Sequence, residues 1–335
     1  MTIKDIAKLS GYGVGTVSRV LNNHPDVSDK ARDKILAVIE ASNFQPNSNA
    51  RHLKRQTVSS LAIIVKGNQN MLFLDILEKI QMLLSEHGEP AEVSYIDEDS
   101  NEVECALALC RERNPKGIFF LGANLDYFTD AFRNIEVPCI VLTNSVSSLD
   151  YDNLSSFYTD DEDASYRLCS YLAEHGHKHF GVIGGSLAVN QIASSRYKGC
   201  IKGFKENNIL FDEDKMYIPC RFSMEDGYQA TLKLLDNTPD VTAIIALSDT
   251  IATGTIRAIC DRGKKVPDDI SVVGFDGISL SNYCVPRLTT IRQDTDAMAI
   301  KSVELMLLQT HYPGSARNDS VPYELLERES VKAIK

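Results

Sequence analysis

Gly11-Tyr12-Gly13 splits two short amphipathic segments near the start of this chain, and no other stretch restricts its local folding as tightly. Thr2-Ile3-Lys4-Asp5-Ile6-Ala7 opens the first segment, and Val14-Gly15-Thr16-Val17-Ser18-Arg19-Val20-Leu21-Asn22 forms the second. Two short helices joined by a tight glycine turn read as a helix-turn-helix, whose second helix can enter the major groove of DNA. Thr2 and Asp5 stand three apart as a capping box, which gives side-chain partners to free backbone N–H groups at the helix start. Ile3, Ile6, Ala7 and Leu9 are assigned to one face, met across the turn by Val17, Val20 and Leu21. Ser28 caps a third helix, in which Ala31, Ile35, Val38 and Ile39 recur at helical spacing to about Ser42 and close a three-helix core. Thr16, Ser18 and Arg19 are left to meet phosphates or base edges. A helical bundle without a ligand would show the same helices.

Charge separates these readings. Residues 1–57 hold nine Lys/Arg against five Asp/Glu, a net of +4, whereas the rest of the chain stands at −15. Affinity for nucleic acid comes mostly from neutralising phosphates, so a basic head matters more than the overall −11.

Asp5-Ile6-Ala7, Gly11, Thr16-Val17-Ser18-Arg19-Val20-Leu21-Asn22, Val27-Ser28, Pro46-Asn47, Ala50-Arg51 and Leu53 together resemble the head and hinge of the lactose/galactose repressor (LacI/GalR) family. The resemblance implies a homodimer that sets two heads on a roughly palindromic double-stranded DNA operator. The DNA-contacting residues it implies are Thr2, Val14, Gly15, Thr16, Ser18, Arg19 and Asn22 in the head, with Asn47, Ala50, Arg51 and Leu53 in the hinge. In that family, the segment matching Asn47 to Lys54 folds into a helix on DNA, and the leucine matching Leu53 wedges into the minor groove. An apolar side chain there can unstack a base step and bend the duplex onto more protein. A polar linker is the alternative reading of Gln45 to Thr57, against which Ala50, Arg51 and Leu53 stand in register with the family's hinge. Two departures stand in the turn and second helix. Gly13 replaces the family's usual serine and caps more weakly, while Gly15 offers no side chain to a base. Val14 can touch a thymine methyl, so direct base readout is expected to be thin and DNA shape to carry more of it.

The expected division is a head over 1–45, a hinge over 46–57 and an effector-binding, dimerising body over 58–335. Within the body, one lobe is expected over about 58–157 and 290–318, and the other over about 158–289 and 319–335. No apolar run approaches the ~20 residues of a membrane helix, and the N-terminus lacks a secretory apolar stretch, so a cytoplasmic location is expected. Eight scattered cysteines without Cys-x-x-Cys spacing fit buried thiols better than a disulfide or zinc framework.

Beyond the hinge, strands and helices alternate. Leu61–Val65, Ala91–Tyr95, Gly117–Leu121 and Pro138–Leu142 are strand candidates, with helical patterns near 73–86, 101–112 and 126–133 between them. Phe180–Gly184, Met216–Pro219, Ala243–Leu247 and Ile270–Gly274 make a second series, and Tyr323–Leu326 a final strand. Buried strands joined by helices form parallel sheets covered on both faces. The fold class is therefore α/β, with a three-helix helix-turn-helix head and a two-lobed body that looks like a periplasmic binding protein. Ligands of open α/β sheets sit at the carboxyl ends of the strands, which places a site between the lobes.

The resemblance puts Arg196 on the effector, Phe222 against its ring and Phe73 on the wall of the first lobe. An arginine fork holds two oxygens at once, and a flat ring suits either a pyranose face or a purine, although a core aromatic fits Phe222 equally well. Ser248-Asp249 and Asp276 follow apolar strands, where carboxylates suit hydroxyl-rich ligands. Helix capping is the simpler role for Asp249, and the family often has asparagine at Ser248. Asp160 is placed at the first crossing between lobes and Gln293 at the third. The acidic runs 97–99 and 160–163 read as solvated turns and helix starts. His175, His177 and His179 lack metal-ligand spacing, and no phosphate loop or nucleophile elbow occurs. No metal or cofactor is expected. The reading is a repressor of carbohydrate use with a small sugar effector. A purine-responsive repressor and a sugar-binding module without gene regulation remain the alternatives.

Overall fold

The computed structural model describes residues 3–21, 27–42, 60–67, 70–187, 192–312 and 314–334. The chain divides into two compact units, Met1–Val58 and Ser59–Lys335.

In the first unit, α1 (Ile3–Ser10), α2 (Val14–Leu21) and α3 (Asp29–Ala41) enclose a core of Ile6, Ala7, Val17, Val20, Val27, Ala31 and Ile35. Gly11 ends α1 at φ +75°, a conformation that glycine adopts without a Cβ penalty, and its N–H donates to Ala7 O at 3.0 Å. Ser28 precedes α3, and its carbonyl accepts from Ala31 and Arg32. Leu9 does not share the buried face: it is 60% exposed, while Ser10 is buried. At 3.6 residues per turn, positions 6, 7 and 10 cluster on one side and position 9 points away, so apolar character alone misassigned it.

The body contains two six-stranded sheets. The first has the order β11-β5-β4-β3-β1-β2, from β1 (Leu61–Lys66), β2 (Ala91–Ile96), β3 (Ile118–Leu121), β4 (Cys139–Leu142), β5 (Leu154–Thr159) and β11 (Asn318–Val321). The second has the order β12-β10-β9-β8-β6-β7, from β6 (Phe180–Gly184), β7 (Tyr217–Pro219), β8 (Ala243–Ala246), β9 (Ser271–Asp276), β10 (Thr289–Gln293) and β12 (Tyr323–Leu326). Among the described residues all strand pairs are parallel except β10 with β12, an antiparallel edge. Both sheets are covered on both faces, as continuous apolar strands require. In β1, Leu61, Ile63 and Val65 face one core and Ala62 and Ile64 another.

Helices α4 (Met71–Glu86), α5 (Glu102–Arg113) and α11 (Thr295–His311) belong to the first lobe. Helices α6 (Asp161–Glu174), α7 (Ile192–Glu206), α8 (Glu213–Met216), α9 (Met224–Asn237) and α10 (Asp249–Asp261) belong to the second. The pattern near 126–133 is not one helix but two 3₁₀ turns, Leu125–Tyr127 and Asp130–Asn134, each preceded by its own cap residue, Asn124 and Thr129. The lobe boundaries also shift. Strand β10 stays in the second sheet to Gln293, and β11 returns to the first, so the later crossings fall at 293–294 and 321–323 rather than near 290 and 318. Gln293 therefore stands at the second crossing in chain order, not the third. Cys139, Cys169 and Cys200 are buried, Cys105, Cys110, Cys220 and Cys284 are partly buried and Cys260 is exposed, so full burial holds for three of the eight thiols.

Candidate functional site

The head presents α2 through residues that its core does not use. Val17 and Val20 are buried, while Val14 is 39% exposed, Gly15 and Arg19 are exposed, and Thr16 and Ser18 are half-buried. The Gly13 carbonyl starts the helix by accepting from the Thr16 and Val17 N–H groups at 2.9 and 3.1 Å. A Cβ added at Gly13 or Gly15 meets nothing within 4 Å, so both glycines leave open surface. Thr2, Asn22, Asn47, Ala50, Arg51 and Leu53 lie outside the described residues.

Between the lobes of the body lies a cleft of about 1370 Å³ at the carboxyl ends of the strands, lined among others by Phe73, Arg196, Phe222 and Asp276. Each aromatic rests on a glycine. A Cβ on Gly122 would come within 2.7 Å of the Phe73 ring, and one on Gly185 equally close to the Phe222 ring. Phe73 enters from the first turn of α4, whose cap Asn70 accepts from the Leu72 N–H at 3.0 Å. Phe222 enters from the loop between β7 and α9. Flat apolar walls therefore face the cleft from both lobes.

Arg196 is the polar centre and is not on the surface. It is 3% exposed, its Nε donates to Asp161 Oδ1 at 2.7 Å, and its Nη1 donates to Leu247 O at 2.6 Å. Its Nη2 lies 3.2 Å from Asp276 Oδ1, and the guanidinium stacks 3.8 Å above the Phe275 ring. These contacts use three of the five guanidinium N–H donors, which leaves donors for a ligand oxygen. Asp276 also accepts from Gln293 Nε2 at 2.8 Å on the same Oδ1. Burial pushes the carboxyl of Asp276 above its ordinary value, opposed by Arg196 and Gln293. Burial likewise raises Asp161 to about 6, opposed by Arg196. Burial alone would lower the Arg196 pKa, but Asp161 and Asp276 together hold it above the usual range.

Backbone strain marks the same walls. Thr143 has φ +75° and Asp276 φ +113°, one following β4 and the other ending β9, and both line the cleft. A β-branched or carboxylate side chain at positive φ costs free energy, and such residues concentrate at binding sites.

The remaining expected contacts take other roles. Asp160 caps α6 by accepting from the Asp163 N–H at 3.0 Å, and Ser248 caps α10 by accepting from the Ile251 N–H at 3.1 Å. Asp249 is fully buried. Its Oδ1 accepts from Thr290 Oγ1 at 2.5 Å and its Oδ2 from the Ile278 N–H at 2.9 Å, which ties α10 to the segment after β9. Burial and then Asp276 push its carboxyl well up. Gln293 orients Asp276, and its Oε1 is buried without a hydrogen-bond partner. The cleft brings together Phe73, Arg196, Phe222 and Asp276, whereas Asp160, Ser248, Asp249 and Gln293 are not among the residues that line it. The three histidines take separate partners: His175 with Tyr171 O, His177 with Thr242 and Lys332 O, and His179 with Asp240.

Sequence reasoning missed two groups in the cleft. Lys66 Nζ donates to buried Glu102 Oε2 at 2.6 Å and lies over the Tyr127 ring, while Glu102 Oε1 accepts from the Asn124 N–H. A lysine ending an apolar strand was the only signal for it. Arg221 meets Asp97, Glu98 and Asp99 from the other lobe, so the run at 97–99 is an ion-pair partner and not merely a solvated turn.

Residues 2–47 match the family described as bacterial regulatory proteins, lacI family, and residues 169–331 match the periplasmic binding protein-like domain. The chain is 37% identical to the HTH-type transcriptional regulator MalR of Clostridium butyricum, covering 98% of this chain and 99% of that protein. It is 29% identical to the HTH-type transcriptional repressor PurR of Histophilus somni, with 99% of each covered. A solved structure of the lac repressor dimer, bound to operator and the anti-inducer ONPF, superposes with a TM-score of 0.69 at 26% identity over 99% of both chains.

Proposed function

The chain belongs to the lacI family of bacterial regulatory proteins, and from that premise we propose that it is a homodimeric repressor whose inter-lobe cleft holds a carbohydrate effector. It is a ligand-responsive DNA-binding transcription regulator and not an enzyme. The observation that carries the sugar reading is the Arg196–Asp276 pair set between the walls of Phe73 and Phe222. Each sugar hydroxyl both donates and accepts, so adjacent hydroxyls can engage a guanidinium and a carboxylate together, while a ring face covers the aromatic. The cleft exceeds the 300–1,000 Å³ usual for one small ligand, which favours a sugar of more than one ring.

Effector binding biases the angle between the lobes and thereby the spacing of two paired hinge segments on an operator. It shifts DNA affinity only by its difference in affinity for the two conformations. No helix among the described residues is long and apolar enough to cross a membrane. We place the protein in the cytoplasm, where an operator is accessible.

A thermal-shift screen of the full chain against sugars, sugar phosphates and nucleobases tests this, because a specific ligand stabilises the native state by mass action. The expected result is a dose-dependent rise in Tm with a neutral sugar that is lost in Arg196→Ala and in Phe222→Ala. The similarity to PurR and the flat aromatic walls favour one second reading, a purine effector. A shift with nucleobases and none with sugars would establish it in place of the first.

A further inference from the structure

Arg221 follows β7 in the second lobe, and Asp97, Glu98 and Asp99 follow β2 in the first. Its Nη2 lies 3.0 Å from Asp97 Oδ1 and 2.8 Å from Asp99 Oδ2, and its Nε lies 3.5 Å from Glu98 Oε2. All four residues line the cleft. The sheet orders say where this cluster acts. Strands β5, β11, β10 and β12, which carry the three crossings between lobes, lie at one edge of their sheets, while β2 and β7 form the opposite edges. In each sheet four strand spacings separate the first crossing strand from the cluster, roughly 19 Å at ~4.8 Å per strand. A rotation about the crossings displaces this edge the most.

We propose that Arg221 and the Asp97-Glu98-Asp99 run form an electrostatic latch that holds the unliganded lobes together at the edge farthest from their crossings. The latch sets how often the cleft opens to its effector, a role that rests on the effector reading above. An isolated exposed ion pair contributes little. Here one guanidinium is shared by three carboxylates, and the far lobe edge must break every contact at once to open. The second lobe adds its own carboxylates, Glu225 and Asp226, to the cleft wall near Arg221. Lys66 and Lys233 also line the cleft, but Arg221 is the cation that pairs with the 97–99 run, and without it these carboxylates would face Glu225 and Asp226 across the mouth and repel them. Arg221 is thus a positioning residue: it acts on the spacing of the walls that carry Phe73 and Phe222.

The chain contains thirteen tyrosines but no tryptophan, so Phe73→Trp gives a single tryptophan on the first-lobe wall, excited at wavelengths where tyrosine does not absorb. Acrylamide quenching of that reporter in the unliganded full chain reads cleft opening and needs no knowledge of the effector. Failure of the latch and failure of the sugar reading are therefore separable. With Arg221 intact, quenching should rise about twofold between about 0.02 M and about 1 M salt, as the Debye length shrinks to a few ångströms. In Arg221→Gln the quenching should be high at both salt concentrations. Arg221→Glu combined with Asp97→Arg and Asp99→Arg should restore low quenching at low salt, a rescue that a purely local role for Arg221 does not produce. Equal quenching with and without Arg221 at low salt would overturn the latch.

Discussion

Asp161 shows how a single residue escapes a reading by composition. Within Asp160-Asp161-Glu162-Asp163 it looks like one more acid at a solvated helix start, yet it is buried and bonded to Arg196. The acidic residues here favour the positive end of the α6 dipole, but the chain direction at Asp160 turns one of them inward against α7. Such an orientation depends on where α7 packs, which no local pattern encodes. Burial raises the folded-state pKa of Asp161 to about 6 from an ordinary 3.8. A carboxyl raised in this way favours folding while protonated, and that contribution is lost as pH climbs from about 4 through about 6. Asp161→Asn cannot ionise and does not lose it. The unfolding free energy of the body, from urea titrations, should therefore shift in favour of the variant by on the order of 2–3 kcal/mol between pH 4 and 6.5. A difference independent of pH would show that Asp161 does not titrate in this range.

At the scale of elements, legibility follows burial on two faces. Ile118–Leu121 and Cys139–Leu142 are apolar throughout because both sides of the sheet are covered, so they were readable as strands. Strand β11, with three exposed polar residues at a sheet edge, carries no such pattern, and the lobe boundary near 318 was misplaced for that reason. Leu9 was misassigned because a short helix offers too few residues to fix its buried face. Gly15 was legible as a departure, and its surroundings now give it a value. It stands in the first turn of α2, and a Cβ there meets nothing within 4 Å. Gly15→Ala should stabilise the head by roughly 0.5–1 kcal/mol, since alanine loses less backbone freedom on entering a helix. Chemical denaturation followed by far-ultraviolet circular dichroism would detect this as a later unfolding of the head. An unchanged or earlier transition would mean that α2 draws no stability from its own helix propensity.

Across the whole molecule, two series of strands were enough to read two lobes and a cleft, and the aromatic and arginine positions in it were legible through the resemblance. The cross-cleft contacts were not, because Arg221 and Asp97 are separated by more than a hundred residues and meet only through the order of two sheets. Residues 47–54, which the resemblance assigns to a hinge, lie outside the described residues, so the part proposed for them in coupling effector to operator is tested by function. If Leu53 wedges between base steps, Leu53→Ala removes an interaction made only with specifically bound, bent DNA. Operator affinity should then fall by on the order of tenfold or more, while salt-dependent binding to unrelated duplex, dominated by phosphate contacts, stays nearly unchanged. Effector affinity in the absence of DNA should match that of the parent chain, because Leu53 lies outside the effector-binding body. Coupling free energy is reciprocal, so the factor by which saturating operator changes effector affinity in the variant should equal the factor by which saturating effector changes its operator affinity. Binding titrations of operator, unrelated duplex and effector on the same variant check all three outcomes. Weakening that is equal for operator and unrelated duplex would reassign Leu53 from operator recognition to the stability of the segment that carries it.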